Sequence, residues 1–111
     1  MQIVDTHAHI YHADEAAYSM VEDPLRPPPG TGTVEHLRRE MENTGVGRVV
    51  LVQTGSAYKW DNRLLADTAG ANREWAVGVC TLNPAALESA GELNRLVSEC
   101  NVRGIRVEPG G

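Results

Sequence analysis

The chain has 111 residues, a formal net charge of −5, and 41% hydrophobic against 23% charged residues, which suits one globular domain and is not a disordered composition. Its Lys and Arg are scattered without a run, so no basic patch marks nucleic acid or an anionic membrane as a partner. No stretch approaches the roughly 18 apolar residues of a membrane span, and Met1 to Asp5 lacks the basic start and apolar core of a signal peptide. A cytoplasmic protein is expected. Cys80 and Cys100 are expected as reduced, buried thiols with no disulfide.

In chain order, Ile3 to Asp5 is the first predicted strand. A polar segment follows to Gly32, in which Pro24, Pro27, Pro28, Pro29 and Gly30 forbid a helix or central strand; a loop of this length is usually functional or mobile. Thr33 suits the cap of a helix whose Val34, Leu37 and Met41 recur at helical spacing, and Gly45 suits its end. Arg48 to Gln53 is a nearly continuous β-branched run, as in a strand buried on both faces of a parallel sheet. Asp61 suits the cap of the next helix, Asn62 to about Asn72, with Gly70 weakening its last turn. Ala76 to Leu82 is the third strand. Asn83 and Pro84 are expected to cap and open a third helix carrying the stripe Leu93, Leu96, Val97 and Cys100. Val102 to Val107 is the fourth strand.

Alternating strands and helices with short connections imply right-handed crossovers and a parallel sheet. Arg48, Trp75 and Val102 open units 27 residues apart, a spacing that suits the βα unit of a barrel. A complete eight-stranded barrel takes about 250 residues. The expected architecture is therefore α/β, the N-terminal half of a (β/α)8 TIM barrel with four parallel strands and three helices, one partial domain over residues 1–111 truncated after its fourth strand. An open doubly wound sheet would place Gly-x-Gly-x-x-Gly between the first strand and helix. His-Ala-His stands there instead, and Gly30 and Gly32 lie far downstream.

Asp5-Thr6-His7-Ala8-His9 follows the apolar pair Ile3-Val4. Strand side chains alternate, so His7 and His9 point the same way and can present two imidazoles to one ion. Imidazole is a common ligand for zinc and related divalent metals, although two ligands do not complete a site. The plainer account is two half-exposed residues at a strand end. Asp5 stands open between a proton-handling carboxylate and a hydrogen-bonding support. His12 reads as a solvated loop residue and His36 as a helix-surface residue. Tyr58, Lys59 and Trp60 follow the second strand on the face where barrel substrates bind, and either recognise substrate or pack the loop. Arg106, at the fourth strand's end, either grips a substrate carboxylate or forms a structural ion pair.

Val4-Asp5-Thr6-His7-Ala8-His9, the run Gly45 to Val52, Asp61-Asn62, Val77-Gly78-Val79 with Leu82-Asn83-Pro84, and Val102 to Arg106 resemble, in order and spacing, the amidohydrolase superfamily. The branch is the amidohydrolase-2 group of TIM-barrel metal-dependent hydrolases, and the resemblance covers nearly the whole chain. It implies that His7 and His9 bind a divalent metal, zinc being the simplest choice, at the barrel's C-terminal mouth. Further ligands would come from later strands, absent here. It also implies hydrolysis of a small carbonyl substrate, a lactone, ester or amide, by a metal-activated water; the branch also holds decarboxylases, and some of its lactonases work without a bound metal. The chain alone is expected to be inactive, with the small-molecule substrate belonging to the parent enzyme. The alternatives are a non-catalytic module that pairs with another chain, or a fragment of a metal-dependent decarboxylase. The unfinished sheet predicts self-association through its edges.

Overall fold

A computed structural model describes residues 3–28 and 30–106. The elements run β1 (Ile3–Ala8), α1 (Val34–Thr44), β2 (Val46–Val52), α2 (Gly55–Tyr58), α3 (Arg63–Ala71), β3 (Ala76–Cys80), α4 (Ser89–Glu99) and β4 (Val102–Ile105). The strands form one sheet in the order β1-β2-β3-β4, and each neighbouring pair is parallel. This is the expected α/β arrangement of four parallel strands with three helices. The single turn α2 is an addition that four residues of sequence are too short to signal.

Local chemistry explains α1. The Thr33 hydroxyl accepts the His36 N–H at 3.2 Å, and Gly45, at φ 80°, donates its N–H to Met41 O. That left-handed φ favours glycine, the only residue without a Cβ penalty there.

Several boundaries differ from the expectation. β1 runs on to Ala8, β2 begins at Val46 and ends before Gln53, and β3 ends at Cys80, short of Leu82. β4 ends at Ile105; the expected end at Val107, like Pro29, lies outside the described residues. Asp61 is not the cap residue of α3. Asn62 holds that position without a side-chain cap bond, while Asp61 Oδ1 accepts the Arg63 N–H at 3.1 Å. α4 begins at Ser89 rather than at Pro84. Asn83 Oδ1 accepts the Ala85 N–H at 3.0 Å, and Ser89 Oγ donates to Asn83 O at 2.6 Å. Asn-Pro turn chemistry here competes with helix capping and wins.

The helices cover one sheet face. Val49 and Leu51 of β2, Ala76 and Cys80 of β3 and Val102 of β4 are buried in one cluster with Met41, Leu64, Leu65 and Leu96. Of the α4 stripe, Leu96 is fully buried, Leu93 and Cys100 are half-buried and Val97 is exposed. Alternation puts Val50, Val77 and Val79 on the opposite face, where they are only half-buried. Cys80 and Cys100 are free thiols, and burial pushes the Cys80 thiol up. Among the described residues, no helix is long and apolar enough to cross a membrane.

Candidate functional site

Parallel strands all leave the sheet at one end, and the βα loops gather there. At the end of β1 the pairing with β2 slips, Asp5 facing Val49 and Ala8 facing Leu51, so three steps on β1 match two on β2. Such a bulge re-aims the side chains beyond it. Asp5 Oδ1 accepts the His7 N–H at 2.9 Å; of its two open roles, the structure places it in backbone support.

His7 Nε2 and His9 Nε2 lie 2.9 Å apart, with ring centroids 4.7 Å apart and ring planes at 80°. His9 Nδ1 is 2.9 Å from Val52 O. A carbonyl oxygen only accepts, so Nδ1 carries the hydrogen and Nε2 presents its lone pair. His7 Nε2–H then donates to it. Two imidazole nitrogens at this separation are within the reach of two bonds of about 2.0–2.1 Å to one ion. A ligating histidine held by its other nitrogen on a backbone carbonyl is also the usual support for a metal ligand. The pair therefore fits a divalent ion in donor type, with His9 already in the ligating tautomer, while His7 ligates through Nε2 once its hydrogen sits on Nδ1. It supplies two donors only: among the described residues, no group of three or more His, Cys, Asp or Glu is placed to hold a metal.

His9, Tyr11, Thr54, Ser56 and Arg106 line one depression of about 240 Å³. The structure thus brings Arg106, from the far edge of the sheet, to the histidine that β1 carries. Among the described residues Arg106 forms no ion pair, so the structural-pair account finds no partner there. Trp60 sits elsewhere, half-buried with Lys59 Nζ 4.3 Å from its ring centroid. Trp60 and Lys59 share with Arg106 a larger cleft of about 340 Å³.

Tyr58 is not brought to the histidines' depression. It is 4% exposed, and its hydroxyl accepts the His12 N–H at 2.9 Å. Burial raises its hydroxyl above the ordinary range, the His12 bond opposing in part. His12 accepts the Asp14 N–H on Nδ1 at 3.0 Å and stacks 4.9 Å from Tyr18, so it organises the long loop. His36 faces Glu40 at 3.5 Å on α1, as a helix-surface residue should.

Sequence reasoning passed over the polar residues that shape the loop end. Gln53 Nε2 donates to Lys59 O at 3.0 Å and Asp61 O at 2.7 Å. Thr54 Oγ1 donates to Ile10 O at 3.0 Å. Asn62 Nδ2 donates to Trp60 O at 3.0 Å and Thr81 O at 2.9 Å, and its Oδ1 accepts the Thr81 N–H at 3.2 Å. The available signal was Gln53-Thr54 closing an apolar run. Asp61 is held below the usual carboxylate range by the Arg63 guanidinium. The long loop is pinned as well, Val21 N–H donating to Ala57 O at 2.7 Å and the Tyr18 hydroxyl to Asp67.

The chain matches the family model described as Amidohydrolase over residues 4–110, and it belongs to that family, whose members are generally metal-dependent. Two solved structures share the fold. One is a probable 2-pyrone-4,6-dicarboxylic acid hydrolase from Acinetobacter baumannii with citric acid bound, 20% identical at TM-score 0.76, over 96% of this chain and 38% of that one. The other is an apo protein of Agrobacterium tumefaciens, 24% identical at TM-score 0.69, over 98% of this chain and 38% of that one. The neighbours are TIM barrels, and the chain spans 38% of the length of each. The four in-order parallel strands are thus part of such a barrel. No curated protein matches the chain.

Proposed function

We propose that this chain carries part of a hydrolytic centre for a small carbonyl substrate, a lactone, ester or amide, with His7 and His9 as two ligands of a divalent metal, most simply zinc. The observation that supports this is the 2.9 Å approach of the two Nε2 atoms, with His9 fixed in the ligating tautomer by Val52 O. A bound divalent ion supplies a lowered pKa for coordinated water and a polarised carbonyl.

The chain's own residues divide the remaining work. Asp5 anchors the backbone at His7. Arg106, beside His9, orients a substrate carboxylate through its planar fork of donors. Trp60, across the adjoining cleft, bounds the substrate's apolar side. Tyr58 acts at one remove by holding His12 and the loop. The Acinetobacter neighbour, whose name carries two carboxylates on a cyclic ester, is in keeping with a cation at this rim. A cytoplasmic location suits the two free thiols.

With two donors and Asp5 committed to the backbone, the 111-residue chain on its own should turn over no lactone or ester above background. The same donor count favours the second reading, a non-catalytic module that pairs with another chain. Zinc titration by calorimetry tests the site: weak binding is expected, and His7→Ala or His9→Ala should remove most of it. Unchanged affinity in the double variant would return the pair to a structural role. Turnover abolished both by chelator and by His7→Ala would overturn the predicted inactivity.

A further inference from the structure

We propose that Thr54 is a positioning residue for His9: its hydroxyl, committed to the continuation of β1 rather than to its own helix, fixes the main chain from which the imidazole is presented. The proposal rests on the reading of His7 and His9 as metal ligands and concerns what holds the second of them in place.

Thr54 stands at the position that opens α2, where a threonine hydroxyl ordinarily accepts a backbone N–H of the first turn. Here it makes no such bond. Its Oγ1 donates instead to Ile10 O at 3.0 Å, 44 positions away in the chain. Thr54 and Ile10 are 4% and 3% exposed, so water does not stand in for either partner. A capping residue that leaves its helix uncapped to hold a distant carbonyl breaks a local rule, and such departures gather where a site has to be held.

What is held is His9. The pairing of β1 with β2 ends with Ala8 facing Leu51, so beyond that point the register offers the chain no further partner. Two bonds from the end of β2 take over. Val52 O accepts the hydrogen of His9 Nδ1 at 2.9 Å, which sets the ring, and Thr54 takes Ile10 O, which sets the main chain beside it. The Ile10 side chain already packs in the core with Leu51 and Leu64, so its carbonyl is the part left to fix. One residue further, Tyr11 N–H donates to Gly32 O at 2.8 Å, a bond from loop to loop that lacks the stiffness of the sheet. Val52 O can orient the imidazole only while the His9 main chain stays within reach, and Thr54 keeps it there. A hydroxyl bound to a backbone carbonyl acts on a metal ligand from outside, as the supporting partners of such ligands do.

The test reads the His9 tautomer in the metal-free 111-residue chain by long-range proton–nitrogen spectra at about pH 8, above the range in which histidines titrate. The parent should carry the His9 hydrogen on Nδ1 alone. Thr54→Val, close in shape but without the donor, should mix the two tautomers and weaken zinc binding by about tenfold in calorimetry. Thr54→Ser keeps the donor and should behave as the parent. Thr54→Cys, a weak donor, should fall between, and it carries the test if Thr54→Val does not fold. Asn62→Leu removes a buried brace from Thr81 at the same end of the sheet and should leave His9 unmoved, which separates positioning from general loosening. Mixed tautomers in the parent, a single tautomer kept in Thr54→Val or Thr54→Cys, or an equal change in Asn62→Leu would each overturn the proposal. Zinc binding is read separately: its absence in the parent would strike the metal assignment, while the tautomer, measured without metal, still decides the part played by Thr54.

Discussion

Asn62 grips Thr81 from both sides, its Nδ2 donating to the Thr81 carbonyl at 2.9 Å and its Oδ1 accepting the Thr81 N–H at 3.2 Å. Asn62 is 3% exposed, so water cannot replace what a substitution removes. Asn62→Leu would leave Thr81 N–H, Thr81 O and Trp60 O unmatched, each costing about 1–3 kcal/mol if it stays buried. Allowing for partial relaxation, a loss of about 3 kcal/mol is expected by urea unfolding. A loss below about 0.5 kcal/mol, the scale of an ordinary surface change, would show that the brace holds nothing.

Tyr58 predicts an alkaline weakness. Burial raises its hydroxyl above the ordinary 10.0, so the folded chain keeps the phenol neutral at pH values where the unfolded chain has begun to ionise. Its contribution is full below the unfolded value and drains away as pH climbs toward the folded one. Tyr18, raised by its bond to Asp67, adds in the same direction. Tyr58→Phe should lose about 1 kcal/mol at neutral pH with the His12 bond, yet decline less steeply than the parent as pH rises past the ordinary 10.0. Parallel declines of the two proteins would remove Tyr58 from the explanation.

Two glycine substitutions should move stability in opposite directions. Gly45 has φ 80°, so Gly45→Ala should lose about 1–2 kcal/mol to backbone strain. Gly91 lies within α4 with nothing within 4 Å of a built Cβ. Gly91→Ala should gain about 0.5–1 kcal/mol from helix propensity and reduced chain entropy. Thermal unfolding with the same sign for both would contradict the backbone assignment.

The sheet edges predict association. Among the described residues β1 and β4 each pair on one side only, and Val4 and Ile105 on those edges are 48% and 44% exposed. Open edges and a half-covered face drive strand pairing. The 111-residue chain should sediment as a dimer or larger species at micromolar concentration, and Ile105→Lys should shift it toward monomer. A monodisperse monomer with strongly protected β4 amides would count against the open-edge account.

What was legible in the sequence follows from the range of each signal. The strands announced themselves through continuous apolar runs such as Val49 to Val52, although here only one sheet face is covered and Val50 stays half-buried, and α1 because Thr33 and Gly45 act within a few residues. α4 was misplaced at its start because Asn83 and Ser89 satisfy one another in a turn, a choice that a capping rule cannot anticipate. The His7–His9 approach was readable from spacing. The Val52 carbonyl that fixes the tautomer was not, since it lies 43 residues from His9 and a backbone oxygen carries no residue signature. Tyr58 looked like a mouth residue because position along the strand does not say which way a side chain turns once a short helix intervenes.

The order β1-β2-β3-β4, all parallel, gives the sheet two unlike edges. Copies that join β4 to β1 therefore meet head to tail rather than by a shared twofold face. Such contacts either close into a ring or continue without limit. Eight strands is the count at which a parallel barrel fills its own interior with side chains, and two copies supply it. In that ring a second histidine pair would stand at the fifth strand position, across the mouth from the first. Whether the turn from copy to copy closes after two, or misses and runs on into a fibre, then decides between a closed mouth with two facing histidine pairs and an aggregate built from the same bonds.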